Sequence, residues 1–150
     1  MIKKQSYFTK NILIASDHAG YKLKQKIINF LNKKDFIITD LGPKDEQSVD
    51  YPDYAKKLSK KINDKNFGIL ICGSGIGMSI MANRYKKVRG SLVNSIKTTK
   101  LAREHNNANV LILGSRVTNA NIALKIVDTF FKTFFLKGRH LRRVKKFKNV

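Results

Sequence analysis

The stretch Phe67-Gly-Ile-Leu-Ile-Cys72-Gly-Ser-Gly75-Ile-Gly77-Met-Ser-Ile-Met81 decides the reading of the whole chain. Gly68–Ile71 has the length and branching of a buried parallel strand, and Met78–Tyr85 has helical spacing, so a strand runs through a glycine loop into a helix. Gly73, Gly75 and Gly77 let the backbone approach a ligand with no Cβ in the way. Their N–H groups, with the helix N-terminus behind them, favour an anion: a phosphate or a developing oxyanion. Cys72, the only cysteine, ends the strand in front of that loop. It is placed where a thiolate is useful, although a strand-end cysteine also packs as a small apolar residue. A dinucleotide fingerprint is incomplete here. The last glycine is missing, and the next strand, Gly90–Val93, leads into Asn94 and Ser95 rather than an acidic residue.

Working outward, Asn11–Ser16 reads as a first buried strand, followed at once by Asp17, His18, Ala19 and Gly20. Tyr21–Leu31 is a helix with Leu23, Ile27, Ile28 and Leu31 on one face. Phe36–Leu41 is a second strand, closed by Gly42-Pro43, and Lys44–Val49 is a polar loop. Asp50 is placed to cap the next helix, whose inward stripe is Tyr54, Ala55, Leu58 and Ile62. Beyond the central unit, Gly90–Val93 and Asn109–Leu113 are the fourth and fifth strands. Between them a helix opens at Ser95 or Thr98 and ends in Arg103-Glu104-His105-Asn106. Gly114-Ser115-Arg116 follows the fifth strand; Asn119–Phe135 is the longest helix, with an apolar surface wider than one sheet face needs. Gly138–Val150 is basic and helical in character.

Five strands alternating with helices predict an α/β chain: a five-stranded parallel sheet in a three-layer, Rossmann-like sandwich, spanning 1–150 as one domain with a 1–10 extension. Ligands of such sheets bind beyond the carboxyl ends of the strands. Asp17-His18, Cys72-Gly73-Ser74 and Ser115-Arg116 all fall on that edge. Arg139 and Arg143 share a helical face and are spaced to clamp a phosphate.

A formal charge of +21 on 150 residues invites a nucleic-acid reading. The lysines are spread along the chain, mostly on what would be wet helix faces, and no recognition motif accompanies them, so that reading is the weaker one. No apolar run is long enough to cross a bilayer, Met1–Lys10 lacks the apolar core of a signal peptide, and one cysteine permits no internal disulfide. A cytoplasmic protein is expected. Three histidines and one cysteine show no metal-ligand spacing, and no cofactor is called for.

Together, Asp17-His18-Ala19-Gly20, Val49-Asp50-Tyr51-Pro52, Cys72-Gly73-Ser74-Gly75-Ile76-Gly77, Ala82-Asn83, His105-Asn106, Asn109-Val110, Gly114-Ser115-Arg116 and Gly138-Arg139-His140 closely resemble the type B ribose-5-phosphate isomerases. Relatives of that family act on allose 6-phosphate and galactose 6-phosphate. The resemblance implies metal-free interconversion of ribose 5-phosphate and ribulose 5-phosphate by a homodimer or homotetramer, with a six-carbon sugar phosphate as the alternative substrate. It implies Cys72 as the base of an enediolate mechanism, with amides around Gly73, Gly75 and Gly77 holding the anion and Ser74 shuttling a hydroxyl proton. His105, assisted by Asp17, would open the sugar ring. Tyr51 and Asn106 would position the sugar, and His18, Arg116, Arg139 and Arg143 the phosphate. Some members carry a glutamate just after the glycine loop, where this chain has Met78. Chain direction adds a further expectation: Cys72 ends a strand, whereas His105 and Asn106 precede one, so one subunit would hold them at opposite sheet edges.

Overall fold

The computed structural model describes residues 11–149; the Met1–Lys10 extension and Val150 lie outside the described residues. Strands β1 (Asn11–Ser16), β2 (Ile37–Asp40), β3 (Phe67–Cys72), β4 (Gly90–Leu92) and β5 (Val110–Gly114) alternate with helices α1 (Tyr21–Asn32), α2 (Tyr51–Ser59), α3 (Ile76–Ala82), α4 (Ile96–Asn106) and α5 (Ala120–Lys132). Helix α6 (Gly138–Lys145) and a short 3-10 turn, Lys146–Asn149, follow. All neighbouring strands pair in parallel, in the order β2-β1-β3-β5-β4.

That order and the right-handed rule for parallel crossovers dictate the layers. The chain moves one way from β1 to β2 and from β4 to β5, and the other way from β2 to β3 and from β3 to β4. The helices of the two directions must therefore cover opposite faces. Alternate strand residues follow suit. Ile12, Ile14, Ile69, Ile71, Leu111 and Leu113 pack with α1, α4 and α5, whereas Leu13, Ala15, Leu70, Cys72, Val110 and Ile112 pack with α2 and α3. The buried strands β1, β3 and β5 are apolar on both faces for this reason.

The wide apolar surface of α5 is used within the chain. Phe130 and Phe131 are fully buried, packing with Phe36 and Phe67 beneath α1 and α4. Helix α5 stops at Lys132, short of the expected Phe135. Thr133 leaves the helix in an extended conformation, its carbonyl accepting from Arg103 Nε at 3.2 Å, and the Leu136 N–H donates to Glu104 O. Helix α3 begins two residues earlier than its apolar spacing suggests, at Ile76 directly after the loop, and ends at Ala82. Asp50 occupies the cap position of α2 but its side chain makes no capping bond, whereas Ser95 caps α4 by accepting from the Thr98 N–H. Among the described residues, no helix is long and apolar enough to cross a membrane.

Candidate active site

β1 and β3 lie side by side, and the connections that leave them run in opposite directions. Such a switch point opens a crevice beyond the carboxyl ends of the two strands. Asp17 and His18 follow β1 into it, and Cys72 closes β3 there.

Cys72 is buried, and its Sγ accepts from the Gly75 N–H at 3.1 Å, a bond that a sulfur anion strengthens. Gly75 makes this possible through a φ of 80°, a conformation that side chains disfavour. Ser74 is exposed, its Oγ accepting from the Ile76 N–H at 3.2 Å. The β3–β5 pairing continues past the strand ends, with the Ser115 N–H on Cys72 O and the Arg116 N–H on Gly73 O. Arg116 is thereby held over the loop: a Cβ at Gly73 would lie 3.2 Å from its Nη1.

Asp17 is buried, and its Oδ1 accepts from the Gly20 N–H at 2.9 Å, folding the turn into α1. His18 Nδ1 accepts from the Val49 N–H at 3.2 Å. A neutral imidazole held this way carries its proton on Nε2, leaving that nitrogen to donate to a ligand. Tyr51 opens α2 with the hydroxyl end of its ring close against Gly77, leaving no room there for a Cβ. The carboxyl edge thus gathers Asp17, His18, Tyr51, Cys72, Gly73, Ser74, Gly75, Gly77 and Arg116.

His105, Asn106, Arg139 and Arg143 are not in that group. The Gly68 N–H donates to Asn109 O, so the turn after α4 is level with the start of β3, at the amino edge. The five residues Val110–Gly114 separate the two edges by about 16 Å at ~3.3 Å per residue. His140, for which the sequence offers no role, is buried on α6 with its ring stacked on His105, centroids 4.2 Å apart and planes within 9°. Burial first, then the charges of His105, Arg139 and Arg143, push His140 below the usual histidine range, against a smaller opposing pull from Glu104. Arg139 and Arg143, both exposed, flank it. A cleft of about 680 Å³ opens at this amino edge beside Asn83, Arg89, Asn106 and Phe147; it does not include Cys72.

Two residues near these groups carry no signal in the expected wet-face pattern of the basic side chains. Lys24 and Arg103 are both buried. Lys24 stands three residues before Ile27 and seven before Leu31, on the apolar stripe of α1, which was the available clue. Arg103 donates to Thr133 O and Asn107 Oδ1, bonds Ala108 O, and lies over the Phe67 and Phe130 rings. Burial, aided by Arg89, lowers its pKa to about 10.

A doubly wound parallel sheet with a cysteine, a histidine and an arginine around a glycine loop at its switch point defines an α/β protein of the class whose ligands bind in that crevice. More particularly, the chain belongs to the ribose/galactose isomerase family, whose profile matches residues 12–147. A Rickettsia typhi protein, described only in general terms as a sugar phosphate isomerase, is 51% identical over 93% of this chain and 99% of its own. The structure of a ribose 5-phosphate isomerase from Thermotoga maritima is similar at 51% identity and a TM-score of 0.90, covering 93% of this chain and 98% of that one. A Mycoplasma genitalium ribose-5-phosphate isomerase B, solved with bound ribulose-5-phosphate, is 48% identical with a TM-score of 0.86, over 93% of this chain and 94% of that one.

Proposed function

We propose that the protein interconverts ribose 5-phosphate and ribulose 5-phosphate through an enediolate, with Cys72 as the base. The observation that carries this reading is the Cys72 Sγ bonded to the Gly75 N–H at the switch point, beside His18, Tyr51 and Arg116. The solved relative with ribulose-5-phosphate supports the choice of sugar.

The Cys72 thiolate takes the proton from C2 of the open-chain aldose. The C2–H electron pair becomes the C1–C2 double bond, and the carbonyl oxygen on C1 takes the negative charge, which backbone N–H groups of the Gly73–Gly77 loop stabilise. Removing one such donor from a comparable site costs about 3–4 kcal/mol of barrier. The cysteine returns its proton to C1 while Ser74 relays the O2 hydrogen to O1, and the ketose results. His18 Nε2 and Arg116 hold the phosphate; Tyr51 lies along the sugar. His105 and Asp17 serve ring opening, and Asn106, Arg139 and Arg143 complete the site.

Because the His105 group and the Cys72 group sit at opposite edges of one chain, each site takes Cys72 from one subunit and His105 from the other in a two-fold dimer. A mixture of Cys72→Ala and His105→Ala chains, unfolded and refolded together, tests this. About half the dimers are then hybrids with one intact site each, restoring about a quarter of wild-type activity. Activity no greater than the sum of the separate variants, with hybrids present by mass spectrometry, contradicts a shared site. Parallel assays with ribose 5-phosphate and allose 6-phosphate decide the sugar.

A further inference from the structure

Lys24 is 0% exposed, and all three of its ammonium protons are directed. Nζ lies 2.7 and 2.9 Å from the two oxygens of Asp40 and 2.7 Å from Pro43 O. Asp40 in turn accepts from the Gly42 N–H at 2.9 Å. The pair therefore fastens the Asp40–Pro43 turn to α1. The Ser16 N–H, next to Asp17, donates to Gly42 O in that turn. The chain runs from Pro43 through the exposed residues 44–48 to Val49, whose N–H fixes His18 Nδ1, and then to Tyr51 against Gly77.

Stability alone does not require a charge at this place. Only Lys24 is buried; the Asp40 side chain is 37% exposed, so solvent screens the pair, and replacing such pairs with uncharged groups of similar volume is often neutral or favourable. What the ammonium supplies is direction: it grips a carboxylate and a carbonyl at once, and sets where the loop leaves the sheet.

We propose that Lys24, through Asp40 and Pro43, is a positioning residue that aims the 43–50 loop so that Val49 holds His18 in its Nε2–H form toward the substrate phosphate. The kinetic part of this rests on the isomerase reading above; the imidazole part does not.

The test compares the wild type with Lys24→Met and with Lys24→Met/Asp40→Asn, which leaves no unpaired charge if the single variant fails to fold. The probes are ribose 5-phosphate kinetics, inorganic phosphate binding, and the nitrogen NMR shifts of His18. The double variant should fold, KM and the phosphate dissociation constant should each rise about tenfold, and kcat should change by less than about twofold. His18, a single Nε2–H tautomer in the wild type, should become a mixture. A folded variant that keeps the single tautomer overturns the proposal, as does a tautomer change with phosphate affinity within about twofold of wild type. A double variant that does not fold also overturns it, since the pair would then be a stability element. A wild type that isomerises no sugar phosphate refutes the isomerase reading instead, and leaves the tautomer and phosphate readouts in force.

Discussion

Alanine at Gly77 would put a Cβ 2.4 Å from Cζ, 2.5 Å from Cε2 and 2.8 Å from Oη of Tyr51. All three contacts are far inside van der Waals distance, so the ring must move. Tyr51 is 40% exposed and stands at the start of α2, so it has open space to swing into. The displacement therefore costs the fold little, and alanine itself gains about 0.5–1 kcal/mol over glycine in a helix such as α3. Net stability should change by less than about 1 kcal/mol. Catalysis should respond differently, because Tyr51 is assigned to the sugar: a displacement on the order of 1 Å or more lowers kcat/KM by about 10- to 100-fold. Tyr51→Ala should lose a similar amount, and Gly77→Ala/Tyr51→Ala no more than either single variant, since both act through the same ring. A coupled ketose assay and thermal melts measure the two effects. Wild-type kcat/KM in a stably folded Gly77→Ala protein, or additive losses in the double variant, would refute this account of Tyr51.

Phe130→Ala removes a fully buried ring from the α4–α5–sheet core and should cost about 3–5 kcal/mol in urea unfolding, with the native fold retained in circular dichroism. A loss below about 1 kcal/mol would mean the aromatic cluster is not packed as described. His140 binds its proton less readily in the folded chain than in the unfolded one, because of burial, His105, Arg139 and Arg143. Below about pH 6.5 the unfolded chain takes up more protons, so this group's contribution to stability is lost as pH falls through its depressed folded-state value. His140→Asn should therefore narrow the gap between melting temperatures at pH 7 and pH 5; an equal or wider gap contradicts the assignment.

The elements most legible in the sequence are those whose environment is uniform along their length. β1 matches its expected bounds, and β3 and β5 lie within a residue or so of theirs, because strands covered on both faces are continuous apolar runs bounded by polar loops. The ends of helices were less legible where tertiary bonds set them. Nothing near Phe134 announces that Arg103, thirty residues earlier, captures the Thr133 carbonyl and ends α5. The carboxyl-edge residues were readable because topology alone brings strand ends together, before any side-chain contact is known. The support behind them was not: Val49 reaches His18 across 31 residues through a backbone N–H, which leaves no mark on residue type. His140 illustrates the same limit, since its stacking on His105 depends on how α6 docks against α4.

On the proposed mechanism Cys72 moves a carbon-bound proton of a sugar phosphate. Incubating the protein with ribose 5-phosphate in deuterated water, and following the sugar by NMR, tests it most directly. Ribulose 5-phosphate should accumulate, carrying solvent deuterium at C1 in the fraction of turnovers in which the Cys72 thiol exchanges with water before it returns its proton, and Cys72→Ala, still able to bind the sugar phosphate, should form neither ketose nor exchanged aldose. No ketose from the wild type, or undiminished turnover and exchange in Cys72→Ala, would contradict it.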